Sequence, residues 1–403
     1  MNRVKKKVYY LKSKNTLVAI GTVINFKSDN PIFKETVVEK SLLPFGYKSI
    51  FSFLDSRKPL KNREFADSIV NTLDYDKKQA WGYIDITLGL SLNDTYWILT
   101  EETKHFRYED YNLYENQFSE VLSLVAFTGN SQRVSGLNTS PEFTTQGVLR
   151  KCWGLRENGD IVLYKSGTHG YANAGLEPFS EYLTNQISKK LGLEYVEYEL
   201  EEYKGVLVST SKCFCNKNIS YAPMALLWND NPTPTINQTL SKAFKIYGKQ
   251  PFINQFLLDY VTWNYDRHLN NYGVYYNPNT MEIIGPAKIY DNGAGLLPGE
   301  MESDFKNPDR IKKYMQERYH AIGYKFQDIL EEFSDNKEMR DKAANLINFR
   351  FEPHPRYNLP EWRIKALENF VQDRVKEVLN SHKRISTPVS ISWEDRKKLF
   401  WDK

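Results

Sequence analysis

Asp266, Asn271 and Asp291 have the side-chain types and the spacing that phosphoryl transfer requires. Asp266 lies in Asn264-Tyr265-Asp266-Arg267-His268-Leu269-Asn270-Asn271, with the Asn271 carboxamide five residues on. About twenty residues later, Tyr290-Asp291-Asn292-Gly293 brings a second carboxylate beside a glycine. One Asp can orient a hydroxyl nucleophile or take its proton, while an Asn and a second Asp hold the Mg²⁺ that neutralises charge on ATP phosphates. The D-x-x-x-x-N spacing is that of the protein-kinase catalytic loop, with the leading His–Arg order changed. Mg²⁺ prefers hard oxygen ligands and takes few of them from protein, so Asn271 and Asp291 suffice beside phosphates and water. Asn270 is the weaker choice on spacing, and Arg267 and His268 read as braces for the loop. Either segment alone would also suit a polar turn after a buried helix, or a β-turn. The two together favour the chemical reading.

Nucleotide contacts are expected upstream. Lys165 ends the strand-like run Ile161-Val162-Leu163-Tyr164 and can reach the α- and β-phosphates. Such a lysine needs a carboxylate to hold it. Glu181, in the helix that follows, is the candidate, and Glu177, one turn earlier, competes with it. Thr144-Thr145-Gln146-Gly147 precedes the hairpin and offers backbone N–H groups and hydroxyls to phosphates. A plain β-turn would look the same. Adenine is expected near Ser209 to Phe214.

The elements that must position these groups follow from hydrophobic period and turn signals. Leu17 to Ile24 reads as a strand with Gly21 as a bulge, Asn62 to Leu73 as a helix, Ser91 to Ile98 as a turn entering a strand, and Phe118 to Phe127 as a helix. Polar, glycine-rich chain from Gly129 to Pro141 marks a boundary. Val148 to Leu155 and Ile161 to Lys165 form a hairpin through Glu157-Asn158-Gly159-Asp160. A helix runs from Glu177 to Leu191, with Phe179, Leu183, Ile187 and Leu191 on one face and Gly192 as its stop. Strands follow at Tyr195 to Glu202 and Gly205 to Thr210. An apolar helix through Phe252, Phe256 and Tyr260 delivers the chain to Asn264, and a last helix opens at Pro360. The order implies an α+β fold: a bilobal, protein-kinase-like arrangement with a small lobe over 131–215, a helical large lobe over 216–403 and an N-terminal α/β accessory region over 1–130. Nucleotide is expected between the lobes.

Composition sets outer bounds. The chain has 403 residues, enough for two or three domains, with 41% hydrophobic and 26% charged residues, as in ordinary globular proteins. A net charge of +4 argues for no particular partner, so direct nucleic-acid binding is not expected. There is no run long enough to span a membrane and no signal-peptide pattern, so a cytoplasmic location is expected. Cys152, Cys213 and Cys215 are too few for a disulfide framework, and Cys213-Phe214-Cys215 lacks a second pair at zinc spacing. The lysine-rich start, Met1 to Lys12, reads as a charged edge strand or as a contact for an acidic partner.

The runs N-Y-D-R-H-L-N-N-Y-G at 264–273 and A-K-I-Y-D-N-G at 287–293 resemble those of the HipA-like serine/threonine kinases of bacteria and phages. S-E-Y-L-T-N-Q-I-S-K-K-L-G-L at 180–193 and S-P-E-F-T-T-Q-G-V-L-R-K at 140–151 support the resemblance, which covers roughly 135–390. The resemblance implies a bilobal kinase fold, ATP with Mg²⁺, and phosphorylation of protein Ser or Thr hydroxyls. It implies Asp266 as catalytic residue, Asn271 and Asp291 as metal ligands and Lys165 as the nucleotide lysine. It further implies a small DNA-binding antitoxin as partner, a role in toxin–antitoxin or phage-defence systems, and autophosphorylation near the phosphate loop, where Ser140, Thr144 and Thr145 supply hydroxyls. The loop T-T-Q-G-V-L-R-K departs from the family's S-G-x-Q-P-K form. A phosphoinositide-type lipid kinase, which shares the D-R-H-x-x-N loop, and a pseudokinase interaction module are the alternatives.

Overall fold

The structure, a computed structural model, describes residues 6–26, 30–75, 79–130, 132–228, 235–383 and 395. The first five residues, position 131 of the expected boundary and parts of the expected large lobe (229–234, 384–394 and 396–403) lie outside the described residues. Among the described residues there are thirteen α-helices together with antiparallel sheets, the mixture expected of an α+β chain. None of these helices is long and apolar enough to cross a membrane. The chain forms two compact units, one of Met1–Tyr164, Lys212–Ala222 and Tyr275–Ile284, the other of Lys165–Ser211, Pro223–Val274 and Gly285–Lys403. Compactness thus groups the chain differently from the division by chemical role.

The first unit is built on β1 (Lys6–Ser13), β2 (Thr16–Ile24), β3 (Ile32–Val37) and β4 (Tyr96–Leu99), in the sheet order β3-β2-β1-β4. The lysine-bearing N-terminal strand is therefore not an edge strand. It pairs with β2 on one side and β4 on the other, and Lys7 Nζ sits 2.5 Å from Asp85. Exposed β3 takes the edge instead. The bulge expected at Gly21 falls at Val18 of β2, left unpaired where the register steps from Leu11↔Ala19 to Lys12↔Leu17. Gly21 serves close approach: a Cβ there would lie 2.6 Å from the Ile50 side chain on α1 (Ile50–Asp55).

Helix α2 (Ala66–Thr72) is shorter than the expected Asn62 to Leu73, because Phe65 adopts a left-handed conformation and Arg63 belongs to a turn. The Arg63 guanidinium is fully buried against Glu142. After α3 (Ile84–Thr87), the leucines 88, 90 and 92 pack with Trp97, Leu99, Tyr108 and Leu113 into a local core. α4 (Glu120–Thr128) is capped by the Ser119 hydroxyl. β5 (Lys151–Leu155) leads through the Asn158–Gly159 turn into β6 (Ile161–Ser166). Exposed Val148 lies before β5 rather than in it.

The second unit begins at the end of β6. α5 (Glu177–Leu191) buries Leu183, Ile187 and Leu191 on the face that their spacing marks. β7 (Tyr198–Tyr203) and β8 (Val206–Lys212) form an antiparallel hairpin in the register Tyr198↔Ser211 to Tyr203↔Val206. Short α6 (Met224–Leu227) and amphipathic α7 (Ile236–Tyr247) precede α8 (Lys249–Thr262), which is buried along nearly its whole length. After it come α9 (Glu302–Phe305), α10 (Pro308–Gln316), α11 (Phe326–Glu332), α12 (Lys337–Ala344) and α13 (Glu361–Leu379), of which α11, α12 and α13 pack on α8.

His320 is buried against the rings of Phe252, Phe256 and Phe326. Burial, helped by the Arg267 charge, pushes its pKa down from 6.5 to about 3. The folded value lies below the unfolded one, so the neutral ring's contribution is complete above pH 6.5 and is lost as pH falls towards 3. Unfolding free energy should drop over that interval by up to about 1.4 kcal/mol per pH unit. Replacing His320 with Asn should flatten this slope in denaturant titrations. An unchanged slope in that variant would rule out His320 as its source.

Candidate active site

Helix α8 carries its apolar residues on almost every side, and one buried carboxylate, Asp259, stands among them. The helix ends at Trp263 in the left-handed region (φ 56°), which turns the chain, and the Asn264 amide returns to the Asp259 carbonyl at 2.8 Å. The loop that follows is tight. His268 N donates to Asp266 O, Asn271 N donates to His268 O, and the Asn271 side-chain Nδ2 donates to Asp266 O at 3.0 Å. The five-residue spacing lets the Asn271 carboxamide close the loop on the Asp266 carbonyl. With its nitrogen committed, the oxygen of Asn271 is the atom left to accept or ligate.

Arg267 is completely buried and makes the bond set that organises the site. Its Nε lies 3.2 and 3.1 Å from the two Asp259 carboxylate oxygens, and Nη2 lies 2.9 Å from Oδ1. Nη1 donates to Asn271 O at 3.1 Å and to the Tyr290 carbonyl, and Nη2 donates to Asn292 Oδ1. Burial opposes the guanidinium charge, but Asp259 outweighs it and holds Arg267 above its ordinary range. One side chain therefore ties α8, the 264–271 loop and the 290–292 segment together. His268 does less, its Nδ1 accepting from the Asn270 amide at 3.2 Å.

Asp291 sits on the far side of this bracket, in the left-handed region (φ 57°) that Asp tolerates better than most side chains. The segment before it lies along 194–196, with Val196 N donating to Ile289 O and Ile289 N to Glu194 O. That pairing brings Asp291 N within 3.0 Å of the Tyr198 hydroxyl, and Asn264 Nδ2 reaches Asp291 O at 3.3 Å.

Lys165, the penultimate residue of β6, places Nζ 2.6 Å from Glu181 Oε1 and 2.5 Å from Asp291 Oδ1. Burial works against its charge, but Asp291 and then Glu181 prevail, so the ammonium is held charged, well above the ordinary lysine range. Glu181 is fully buried on α5, and its second oxygen accepts from the Ser209 hydroxyl. Glu177 is engaged elsewhere. It accepts from Thr168 N at 3.0 Å and Thr168 Oγ1 at 2.7 Å, pinning the loop between β6 and α5.

Thr144, Thr145 and Gly147 belong to the first unit. Thr144 is buried, and its hydroxyl lies within bonding distance of the Pro141 and Leu90 carbonyls. Thr145 Oγ1 donates to Pro141 O at 2.8 Å and accepts from Trp153 Nε1 at 3.0 Å. Gly147 has φ 91°, and a Cβ there would lie 2.3 Å from Lys151 Nζ, so the turn admits only glycine without rearrangement. Beneath it, Arg63 Nη2 meets Glu142 Oε2 at 2.6 Å and Lys151 O at 3.0 Å. Ser140 is fully buried as the cap of the short turn at 141–143. With these hydroxyls engaged in protein contacts, backbone N–H groups are what this turn offers an anion.

The structure thus brings Lys165, Glu181 and Asp291 into contact, and joins Asp266 and Asn271 to them through Arg267 and Asn264. Sequence reasoning missed Asp259, Tyr198 and Ser209. Asp259 had a signal, a carboxylate alone in an apolar stripe eight residues before an arginine. Tyr198 and Ser209 had none, since both look like ordinary strand residues. Asp291 and Asn271 supply the carboxylate and amide oxygens that suit Mg²⁺, and Lys165 the fixed positive charge that suits phosphate.

No family model matches the chain, and no curated protein matches its sequence. The chain is similar in structure to a bacterial toxin–antitoxin protein and to a bacterial kinase. One is HipA of Shewanella oneidensis MR-1, from the toxin–antitoxin complex of HipA, HipB and operator DNA, at 12% identity, 93% of this chain, 100% of that chain and a TM-score of 0.46. The other is the Helicobacter pylori proinflammatory kinase CtkA, at 19% identity, 59% of this chain, 90% of that chain and a TM-score of 0.44.

Replacing Arg267 with Met should leave the Asp259 carboxylate buried and unpaired, at a cost of about 3–5 kcal/mol in urea unfolding. Adding Asp259→Leu should restore part of that loss. An Arg267→Met protein as stable as the wild type would show that the bracket carries no weight.

Proposed function

We propose that the chain is an ATP-dependent serine/threonine protein kinase of HipA-like type. The observation that carries this reading is the buried Lys165 ammonium held jointly by Glu181 and Asp291. A lysine fixed by a helix carboxylate and adjoining a metal-binding Asp is the arrangement phosphoryl transfer from ATP demands. In this reading Lys165 binds the α- and β-phosphates, Glu181 holds Lys165, and Asp291 with Asn271 holds Mg²⁺. Asp266 orients the acceptor hydroxyl or takes its proton. Bound Mg-ATP supplies the transferable phosphoryl group and the charge neutralisation. At the 144–147 turn the backbone N–H groups of Thr145 and Gly147 serve the phosphates, since that of Thr144 donates to Pro141 O at 3.1 Å. Residues 131–215 act as the small lobe of a bilobal kinase, 216–403 as its large lobe and 1–130 as an accessory region. A protein Ser or Thr acceptor, a small DNA-binding antitoxin and a cytoplasmic setting belong to the proposal through the motif resemblance.

The test is incubation of the purified protein with γ-labelled ATP and Mg²⁺, alone and with cell lysate, beside the Asp266→Asn variant. Label on protein that disappears in the variant supports the reading. Label confined to lipid would favour the phosphoinositide-type alternative, and ATP binding without transfer the pseudokinase alternative. Asp266→Asn and Asp291→Asn should each lower transfer by at least about 10²-fold. Full activity in either would overturn the assignment.

The two glutamates of α5 should behave differently. Glu181→Gln loosens the hold on Lys165 and should lower kcat/KM for ATP by about tenfold or more, whereas Glu177→Gln, acting only on the Thr168 loop, should change it less. The reverse order would place the lysine's partner on the other turn of the helix.

A further inference from the structure

A cavity of about 220 Å³ lies between α5 and the segment 351–364, wholly within the second unit. On the α5 side its wall is Phe179, Tyr182 and Leu183, the residues flanking Glu181. The opposite wall is held to α5 by a two-way clamp: Gln186 Nε2 donates to Glu352 O at 3.0 Å, and Glu352 N donates to Gln186 Oε1 at 2.8 Å. His354 anchors its floor. Its Nδ1 accepts from the Arg356 and Tyr357 amides, so the proton on Nε2 goes to Glu199 at 2.8 Å. The ring also stacks on Tyr357 and meets Tyr182 edge-on.

Two features select an occupant. The volume is below the ~300–1,000 Å³ of ordinary small-molecule sites, and suits one large side chain. The charge at the mouth is one-sided: Glu352 and Glu361 are exposed, neither carboxylate has an ion-pair or hydrogen-bond partner among the described residues, and no Lys or Arg lines the cavity. Carboxylates beside aromatic faces attract a cation and repel an anion.

We propose that this cavity docks one aromatic side chain, flanked by lysine or arginine, from a segment of a partner protein. Because α5 carries both the wall and Glu181, the filled cavity biases the Glu181–Lys165 contact and so the affinity for nucleotide. This coupling, unlike the docking itself, rests on the kinase reading.

The probes are acetyl-Lys-Trp-Lys amide and its counterpart acetyl-Glu-Trp-Glu amide, titrated into the full chain by calorimetry. The basic peptide should bind about tenfold or more tightly than the acidic one, and a Glu352→Gln/Glu361→Gln variant, altered only at exposed positions, should lose that preference. Equal binding of both peptides, no binding of either, or an unchanged preference in the variant would overturn the docking proposal. So would a concentration-dependent dimer that the variant abolishes, since a second copy would then be the occupant. The basic peptide's Kd should change by about fivefold or more when a non-hydrolysable Mg-ATP analogue is bound, with the same factor in reverse. An unchanged Kd with nucleotide bound would overturn the coupling. Failure of the analogue to bind at all would overturn the kinase reading and leave the docking result standing.

Discussion

The buried ion pair between Arg267 and Asp259 is the constraint on which the rest of the candidate site depends. Two charges taken out of water are tolerable only if each is fully satisfied. Asp259 meets the guanidinium side-on through Nε and Nη2, and the remaining N–H groups go to Asn271 O, Tyr290 O and the Asn292 side chain. Satisfying one cation therefore forces three separate stretches of chain into register. The Asp266 loop and the Asp291 segment have no freedom to drift apart without leaving donors or acceptors stranded in the interior.

A second buried charge is solved the same way. Lys165 is compensated by Glu181 and Asp291, and Glu181 in turn by Ser209. Asp291 belongs to both systems, its backbone carbonyl near the Arg267 bracket and its carboxylate on Lys165. Its left-handed backbone is the local cost of serving both. A site built on two interlocked ion networks is rigid where phosphate chemistry needs fixed charge, and the proposed activity draws on that rigidity. The first unit repeats the device in the Arg63–Glu142 pair beneath the 144–147 turn.

Much of the local structure was legible in the chain. The four-residue recurrence of Phe179, Leu183, Ile187 and Leu191 with a following Gly marks a helix over Glu177–Leu191. The Asn-Gly turn marks the β5–β6 hairpin, and Pro360 the start of α13. Boundaries were less legible where a side chain was drawn into a distant contact. Arg63 leaves the expected helix to reach Glu142, and the helix shortens to Ala66–Thr72. Gly21 looked like a bulge because a strand glycine usually marks one. Its reason is the packing of Ile50, twenty-nine residues away in sequence.

What the sequence determined by itself was the inventory: which carboxylates, amides and lysine were available, and the spacing of Asp266 and Asn271 that lets one side chain close the loop on the other's backbone. Those are short-range properties, readable because the interacting groups are neighbours in the chain. The sequence ranked Glu181 ahead of Glu177 as the partner of Lys165 without separating them, whereas tertiary structure puts Glu181 on the lysine and alone decided the roles of Asp259, Tyr198 and Ser209. It also decided that the lysine-rich first strand lies inside its sheet. Each of these depends on which groups share a buried volume. A buried charge must find its partner there, and no local propensity records where that partner will be.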